Sequence, residues 1–476
     1  MSDYTKSVDN TIETLILYLH GEQHIRNDSD VGLWVVTAMI VRLAMRCGYH
    51  RDPKYFTGIS AFQGEMRRRA WSYIRMCDIL LSFQLALPNM IRVGDCDTEL
   101  PRNIFDDEFD PGTKELPPSR PRTEPTPLSY MLAKAELSLV FGEIIEEINS
   151  LSGHKAPYDE VMKKDAKLRQ VQSNIPTHLQ LRPLEDCIHD PIPLILSRFT
   201  VDFLYQKALC VLHRKYLSRA RQNPRYAHSR RTCVEASMEM LRHQDVLHRE
   251  TQFGRRLRPM RSLIGSFTKN DILLGSMIVC LDLHCDSISE ESQTHFWTAE
   301  QRANMFHALE KSAEIWKECI DTSIEAYKAS NVLGVILEKL RRQGFGQSTT
   351  TMEPRATKES FSSFDDDLQP ERSAAMTLGM LSSGGLTPNS TALFSNSLPL
   401  TPGAINKYTN VEMNLGDTTT GLGLTPNFGM SINFPGTVDS TLGSFSQVLG
   451  NMSTGSGMGD FSQNLDWVKI FVYEWF

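Results

Sequence analysis

The chain has 476 residues, with 50 Lys plus Arg against 57 Asp plus Glu and a formal net charge of −7, a balance that excludes a polybasic protein coating nucleic acid with its whole surface. Residues 345–476 carry 5 basic and 12 acidic side chains, so residues 1–344 keep 45 of each sign and the last 132 residues hold the whole excess. No apolar run approaches the roughly 18–20 residues that cross a bilayer, and no basic start leads into an apolar core, so the expectation is a soluble intracellular protein.

From residue 8 to 345 the spacing of apolar residues predicts helix almost throughout, some nine or ten in number, without strand alternation. Over Val31–Cys47, Trp34, Ala38, Val41 and Met45 recur at helical spacing behind Asp28-Ser29-Asp30, which suits the free amides of a helix start. From Glu65 to Leu85, Trp71, Ile74, Cys77, Leu81 and Leu85 step by three and four. Residues 111–127 hold six prolines and few apolar residues, and read as an irregular excursion within one body. The helical pattern resumes in Leu132, Ala135 and Leu139, behind Thr126-Pro127, an N-cap followed by proline at the first helical position. Asp190-Pro191 offers the same start to the stretch running toward Leu217.

Thr298-x-x-Gln301 and Thr322-x-x-Glu325 both fit a capping box. Met305, Leu309, Ala313, Trp316 and Ile320 line one face after the first box, and Arg341-Arg342 followed by Gly344 closes the helix after the second. The body is therefore 1–344, and the fold class is all-α. Beyond it, residues 345–476 are rich in Ser, Thr, Gly, Asn and Pro, with 15 of the 29 glycines and three copies of Leu-Thr-Pro. Such a composition buries too little apolar surface to offset the entropy of ordering, which predicts a disordered acidic tail. Its scattered aromatics and the terminal Trp467–Phe476 segment fit three readings: an activation segment that folds onto partners, a plain flexible tail, or a segment that docks back on the body.

Enzyme signatures fail in turn. There is no phosphate-binding G-x-x-x-x-G-K-[ST], no H-E-x-x-H and no G-x-S-x-G. His50-Arg51-Asp52 spells a kinase triplet, but Pro53 follows it, so an ion pair at a helix end is the better reading. The nine cysteines are scattered without a C-x-x-C pair, which argues for core thiols rather than a disulfide framework or a DNA-reading zinc cluster. Cys280, His284 and Cys285 lie in an apolar helical context and also read as core. Between His213 and Arg261 there are twelve arginines and one lysine against four acids, and Arg67-Arg68-Arg69 forms a shorter run. Arg230-Arg231 and Arg255-Arg256 would suit import signals or phosphate contact, yet arginines paired with nearby acids are the favoured reading.

The most specific stretch runs from Trp34 to Phe109. Gly48-Tyr49-His50-Arg51-Asp52-Pro53 ends one helix; Glu65, Arg67-Arg68-Arg69 and Trp71 follow; then come Asp78, Ser82, Leu87-Pro88, Asp97, Leu100-Pro101 and Asn103. In order and density this series resembles the middle homology region of fungal zinc-cluster (Zn2Cys6) transcription factors, the fungal-specific transcription factor domain. Tyr49 stands where the family usually has Leu, and Ala86 where Gly is common. The motif reads as scaffold: Gly48 ends a helix in a left-handed conformation, Pro53 stops it resuming, and the arginines pair with acids such as Glu65 or Asp78 at helix spacing.

The resemblance implies a nuclear regulator of RNA polymerase II transcription without catalytic, cofactor-binding or metal residues in these 476 positions. It further implies coactivators or the transcription machinery as partners of the tail, a homo- or heterodimer, and no membrane. DNA binding, and zinc, belong to the family's N-terminal cysteine cluster. The chain begins only about 45 residues before His50, so the expectation is either a gene model truncated at its start or a DNA-binding-deficient regulator. The alternative function is a helical ligand-sensing or dimerising inhibitor module.

Overall fold

The computed structural model describes residues 10–25, 31–149, 157–288 and 296–342. Within them run eleven α-helices: α1 (Thr11–Ile25), α2 (Val31–Arg46), α3 (Ala61–Gln84), α4 (Ser129–Ile148), α5 (Tyr158–Ser173), α6 (Ile192–His213), α7 (Arg219–Gln222), α8 (Ala227–Glu250), α9 (Arg261–Ile288), α10 (Ala299–Glu318) and α11 (Ile324–Arg342). Short 3-10 turns lie between them, and no strand occurs among the described residues. The fold is all-α, with one more helix than the spacing counted. Asp28-Ser29-Asp30, Gly344 and the tail 345–476 lie outside the described residues.

Helices pack mainly on their neighbours in the chain, α1 on α2, α2 on α3 and α3 on α4, while α6 and α8 join this first half to α9 and α10. Helix α6 is buried on every side, with fifteen of its residues inaccessible, among them Phe199, Leu204, Leu209 and Val211. Around Trp71 a core of Ile12, Leu19, Leu33, Ile40, Val41, Ala44, Ile74, Cys77 and Leu81 knits α1, α2 and α3 together. The α2 stripe is rotated relative to the expected one. Leu33, Thr37, Ile40, Val41 and Ala44 face inward, whereas Trp34, Ala38 and Met45 sit half-buried at its edge. Trp34 Nε1 donates to Ser82 Oγ at 3.1 Å, and that bond holds the indole at the border.

Helix ends follow local chemistry. Gly48, at φ +78°, lets Tyr49 N donate to Ala44 O and Gly48 N to Met45 O, each at 3.0 Å, the paired bonds that close a helix through a left-handed residue. α3 starts on a reciprocal box between Ser60 and Gln63. It ends through Ala86 at φ +54°, with Leu87 N donating to Ser82 O and Ala86 N to Phe83 O. The Thr298–Gln301 box is present. The other three expected starts differ. Thr126 Oγ1 accepts from Leu128 N, but α4 begins two residues beyond Pro127. Asp190 does not cap α6, because the buried Arg198 takes its carboxylate at 2.6 Å. The cap of α11 is Ser323, whose Oγ accepts from Ala326 N, while Thr322 Oγ1 turns back to donate to Cys319 O.

Candidate functional site

Four buried polar side chains in the first half bind main chain that has no regular structure of its own. Asp52 follows the turn at Gly48 and is wholly inaccessible. Its carboxylate accepts from Arg68 Nε at 3.0 Å and Nη2 at 2.8 Å, from Lys54 N at 3.0 Å, and from Glu99 N at 3.0 Å. Burial pushes its pKa up, but the Arg68 guanidinium and the two amides outweigh burial and hold the carboxyl at about 2. Glu65, equally buried, accepts from Arg69 Nε one helical turn on and from Arg102 N. Asp78 accepts from Met90 N at 3.0 Å and Ile91 N at 2.9 Å. With no cation beside it, burial dominates and its pKa is raised despite those amides.

Asn103 is the fourth. Its Nδ2 donates to the carbonyls of Pro121 at 3.0 Å and Glu124 at 3.2 Å, and its Oδ1 accepts from Thr126 Oγ1 at 2.5 Å. Arg102 Nη1 adds bonds to Leu116 O and Pro117 O. The proline-rich excursion is thus irregular yet fastened, carbonyl by carbonyl, to the residues that close the motif. A buried amide serves here because both its donors and its acceptor find partners.

The remaining motif residues complete this clamp. Arg51 Nε pairs with Asp97 Oδ2 at 3.0 Å, and Asp97 Oδ1 accepts from Asp52 N at 2.8 Å. Arg67 Nη1 donates to Cys47 O at the end of α2 and stacks over the Tyr49 ring. Arg69 also reaches Asp106 Oδ1 at 2.6 Å. His50 O accepts from Asp97 N, and its ring lies 6.3 Å from that of Trp71. Pro53 and Pro101 are buried, Leu100 is half-buried and Pro88 is exposed. The expected pairing of the arginine run with Asp78 does not form: Asp78 is spent on the Met90 and Ile91 amides, and Arg68 turns to Asp52 instead. A recess between α3 and α4, lined by Arg75, Ile79, Asn89 and Glu146 among others, is no larger than a water molecule.

Further along, Asp165 on α5, His213 at the end of α6 and His228 at the start of α8 meet, their ligand-type atoms all within 4.8 Å of one another. His213 Nε2 lies 3.1 Å from Asp165 Oδ1 and Nδ1 lies 2.9 Å from Ser229 Oγ, while Tyr158 OH closes on Ser229 Oγ at 2.9 Å. Serine, histidine and aspartate in a chain resemble an acyl-transfer relay, but Ser229 and His213 are wholly buried, and the Tyr158 hydroxyl occupies the serine's remaining face. A substrate carbonyl has no approach to that oxygen.

Part of the basic stretch is paired internally: Arg230 is buried against Asp282 and Asp286, at 2.7 and 2.8 Å, and Arg256 donates to Cys187 O and Asp190 O, whereas Arg231 and Arg255 are exposed. All nine cysteines are free thiols, five of them buried. Burial drives the Cys280 thiol well above its ordinary range, as expected of a core residue.

The profile of the family described as "Fungal specific transcription factor domain" matches residues 15–175, a span that contains the whole clamp. These residues are thus similar to a fungal specific transcription factor domain. The Zn(2)-C6 fungal-type transcription factor pigI of Monascus ruber is 40% identical over 342 residues, 71% of this chain and 42% of the relative. For the Zn(2)-C6 fungal-type transcription factor mpsB of Macrophomina phaseolina the identity is 41%, over 71% of this chain and 46% of the relative. The Equisetin cluster transcription factor eqxF of Fusarium heterosporum is 35% identical, over 71% and 48%. The chain therefore spans less than half the length of these relatives, and the likeness to them runs well beyond the transcription factor domain. No solved structure matches. None of the described helices is long and apolar enough to cross a membrane.

Proposed function

We propose that the chain is the regulatory and activating portion of a nuclear regulator of RNA polymerase II transcription. The observation that carries this reading is the match of residues 15–175 to the fungal specific transcription factor domain, in a chain similar to curated transcription factors over 71% of its length. The helical body acts by binding. Its most ordered polar chemistry is spent on holding its own loop, and the serine and histidine of the Ser229–His213–Asp165 chain are buried. The acidic tail 345–476 contacts coactivators or the transcription machinery, and DNA contact belongs to a cysteine cluster of the family's type, whose C-x-x-C pairs this sequence lacks.

The experiment is a fusion of residues 345–476 to a heterologous DNA-binding domain, read with a reporter gene beside the same fusion carrying residues 1–344. Reporter transcription rises with the tail alone. A silent tail fusion, with its expression confirmed by immunoblot, removes the activating role.

A further inference from the structure

The Asp165–His213–His228 cluster has a chemistry the regulatory reading does not use and does not depend on. Three helices that are far apart in sequence each deliver one group: a carboxylate from α5 and one imidazole each from α6 and α8. Two imidazoles and a carboxylate, with solvent on one side through the half-exposed His228 (46% for its side chain), are the donor set of a zinc-class divalent ion that keeps an open position. Asp165 Oδ1 is 3.1 Å from His213 Nε2 and Asp165 Oδ2 is 3.8 Å from His228 Nε2. A tetrahedral zinc with bonds of about 2.0–2.1 Å needs donor atoms about 3.3 Å apart. His228, in the first turn of α8, has to close in, and its Nε2 gives up the 3.4 Å contact with Thr232 Oγ1 to do so.

Behind the cluster sits the second layer a zinc-bound imidazole needs. His213 Nδ1 faces Ser229 Oγ, and Ser229 faces Tyr158 OH. Without metal, the hydroxyl of Ser229 donates to Nδ1 and Nε2–H donates to Asp165. With metal, the proton moves to Nδ1 and Ser229 Oγ accepts it, which leaves the Nε2 lone pair for the ion. The hydroxyl pair serves both tautomers by rotation, so no buried group is stranded in either state.

One group stands against metal entry. Arg169 Nε donates to Asp165 Oδ2 at 2.8 Å, and its positive charge opposes a dication. Its side chain is 47% exposed, so it can swing into water and release that oxygen. We infer that Asp165, His213 and His228 form a binding site for a zinc-class divalent ion that clamps α5 to α6 and α8, with Arg169 as the resident competitor for Asp165.

The test is isothermal titration of the purified, chelator-treated full chain with zinc chloride, with cobalt(II) as a visible-absorbing probe and magnesium as the control. The expected result is one zinc per chain, a higher unfolding temperature with zinc, cobalt bands of nitrogen–oxygen ligation, and no response to magnesium. His228→Ala, a half-exposed change whose fold is checked by circular dichroism, weakens binding by more than about tenfold, and Ser229→Ala does so by about ten- to a hundredfold. Arg169→Gln tightens binding by roughly tenfold or more, as removing a cation about 4 Å away allows at an effective dielectric of about 20. A purely structural ion-pair network gives no such gain. The proposal is overturned if no stoichiometric zinc binds, if binding survives His228→Ala unchanged (the scattered thiols then being the ligands), or if Arg169→Gln leaves the affinity where it was.

Discussion

Replacing Asp52 by Asn keeps the size of the side chain and removes its charge. The carboxylate receives four donors, two from Arg68 and one each from Lys54 N and Glu99 N. Asn keeps one acceptor oxygen and turns an NH2 toward two of those donors, while Arg68, only 12% exposed, keeps its charge with only the longer, 3.6 Å contact to the exposed Glu99 carboxylate. The difference between an ordinary carboxyl at 3.8 and one held at about 2 corresponds to about 2.5 kcal/mol in favour of the charged form. Leaving the arginine with only that weaker partner brings the expected loss to about 3 kcal/mol. Urea unfolding of the full chain at pH 7, followed by circular dichroism, reads it directly.

Because the folded carboxyl titrates below the unfolded one, its contribution is complete above about pH 4 and is lost as pH falls toward 2. The gap between wild type and Asp52→Asn therefore narrows over that interval. A loss under 1 kcal/mol at pH 7, or a gap that does not change between pH 5 and pH 2.5, refutes the reasoning.

Ala86→Gly relieves a left-handed alanine worth about 1–2 kcal/mol at a cost of about 0.5–1 kcal/mol in unfolded-chain entropy, so it stabilises by up to about 1 kcal/mol in the same urea assay; a destabilised variant contradicts the role of φ +54°. At the helix starts, Thr298→Ala and Ser323→Ala each cost about 1 kcal/mol, whereas Thr322→Ala costs clearly less. Equal losses at positions 322 and 323 place the cap of α11 wrongly.

Much of the first half is legible in sequence because its determinants are local. The Trp71, Ile74, Cys77 and Leu81 series points into the core as its spacing says, and Gly48 ends α2 at the one position where a left-handed residue is needed. Partner choice is less legible. Arg68, Glu65 and Asp78 share one helix, yet Asp78 goes to amides twelve and thirteen residues on and Arg68 to an acid sixteen residues back, choices set by where the loop passes. Two adjacent hydroxyls, Thr322 and Ser323, both suit a helix start, and only the chain's path from α10 selects between them. Asp190 has the sequence of a cap but lies where the buried Arg198 needs a counter-charge. The Asp165–His213 contact spans 48 residues, and no spacing rule reaches that far; the sequence signal is a histidine directly after the apolar run Ala208–Leu212 at the end of α6.

At four points the clamp grips its loop by peptide groups: the amides of Met90, Ile91, Glu99 and Arg102 each donate to a buried carboxylate. Main-chain tethers of this kind let the outward face of residues 88–127 be repainted with other side chains while its path stays where α3 and Asn103 put it, which makes this stretch a ready surface on which relatives can differ in what they touch without differing in how they fold.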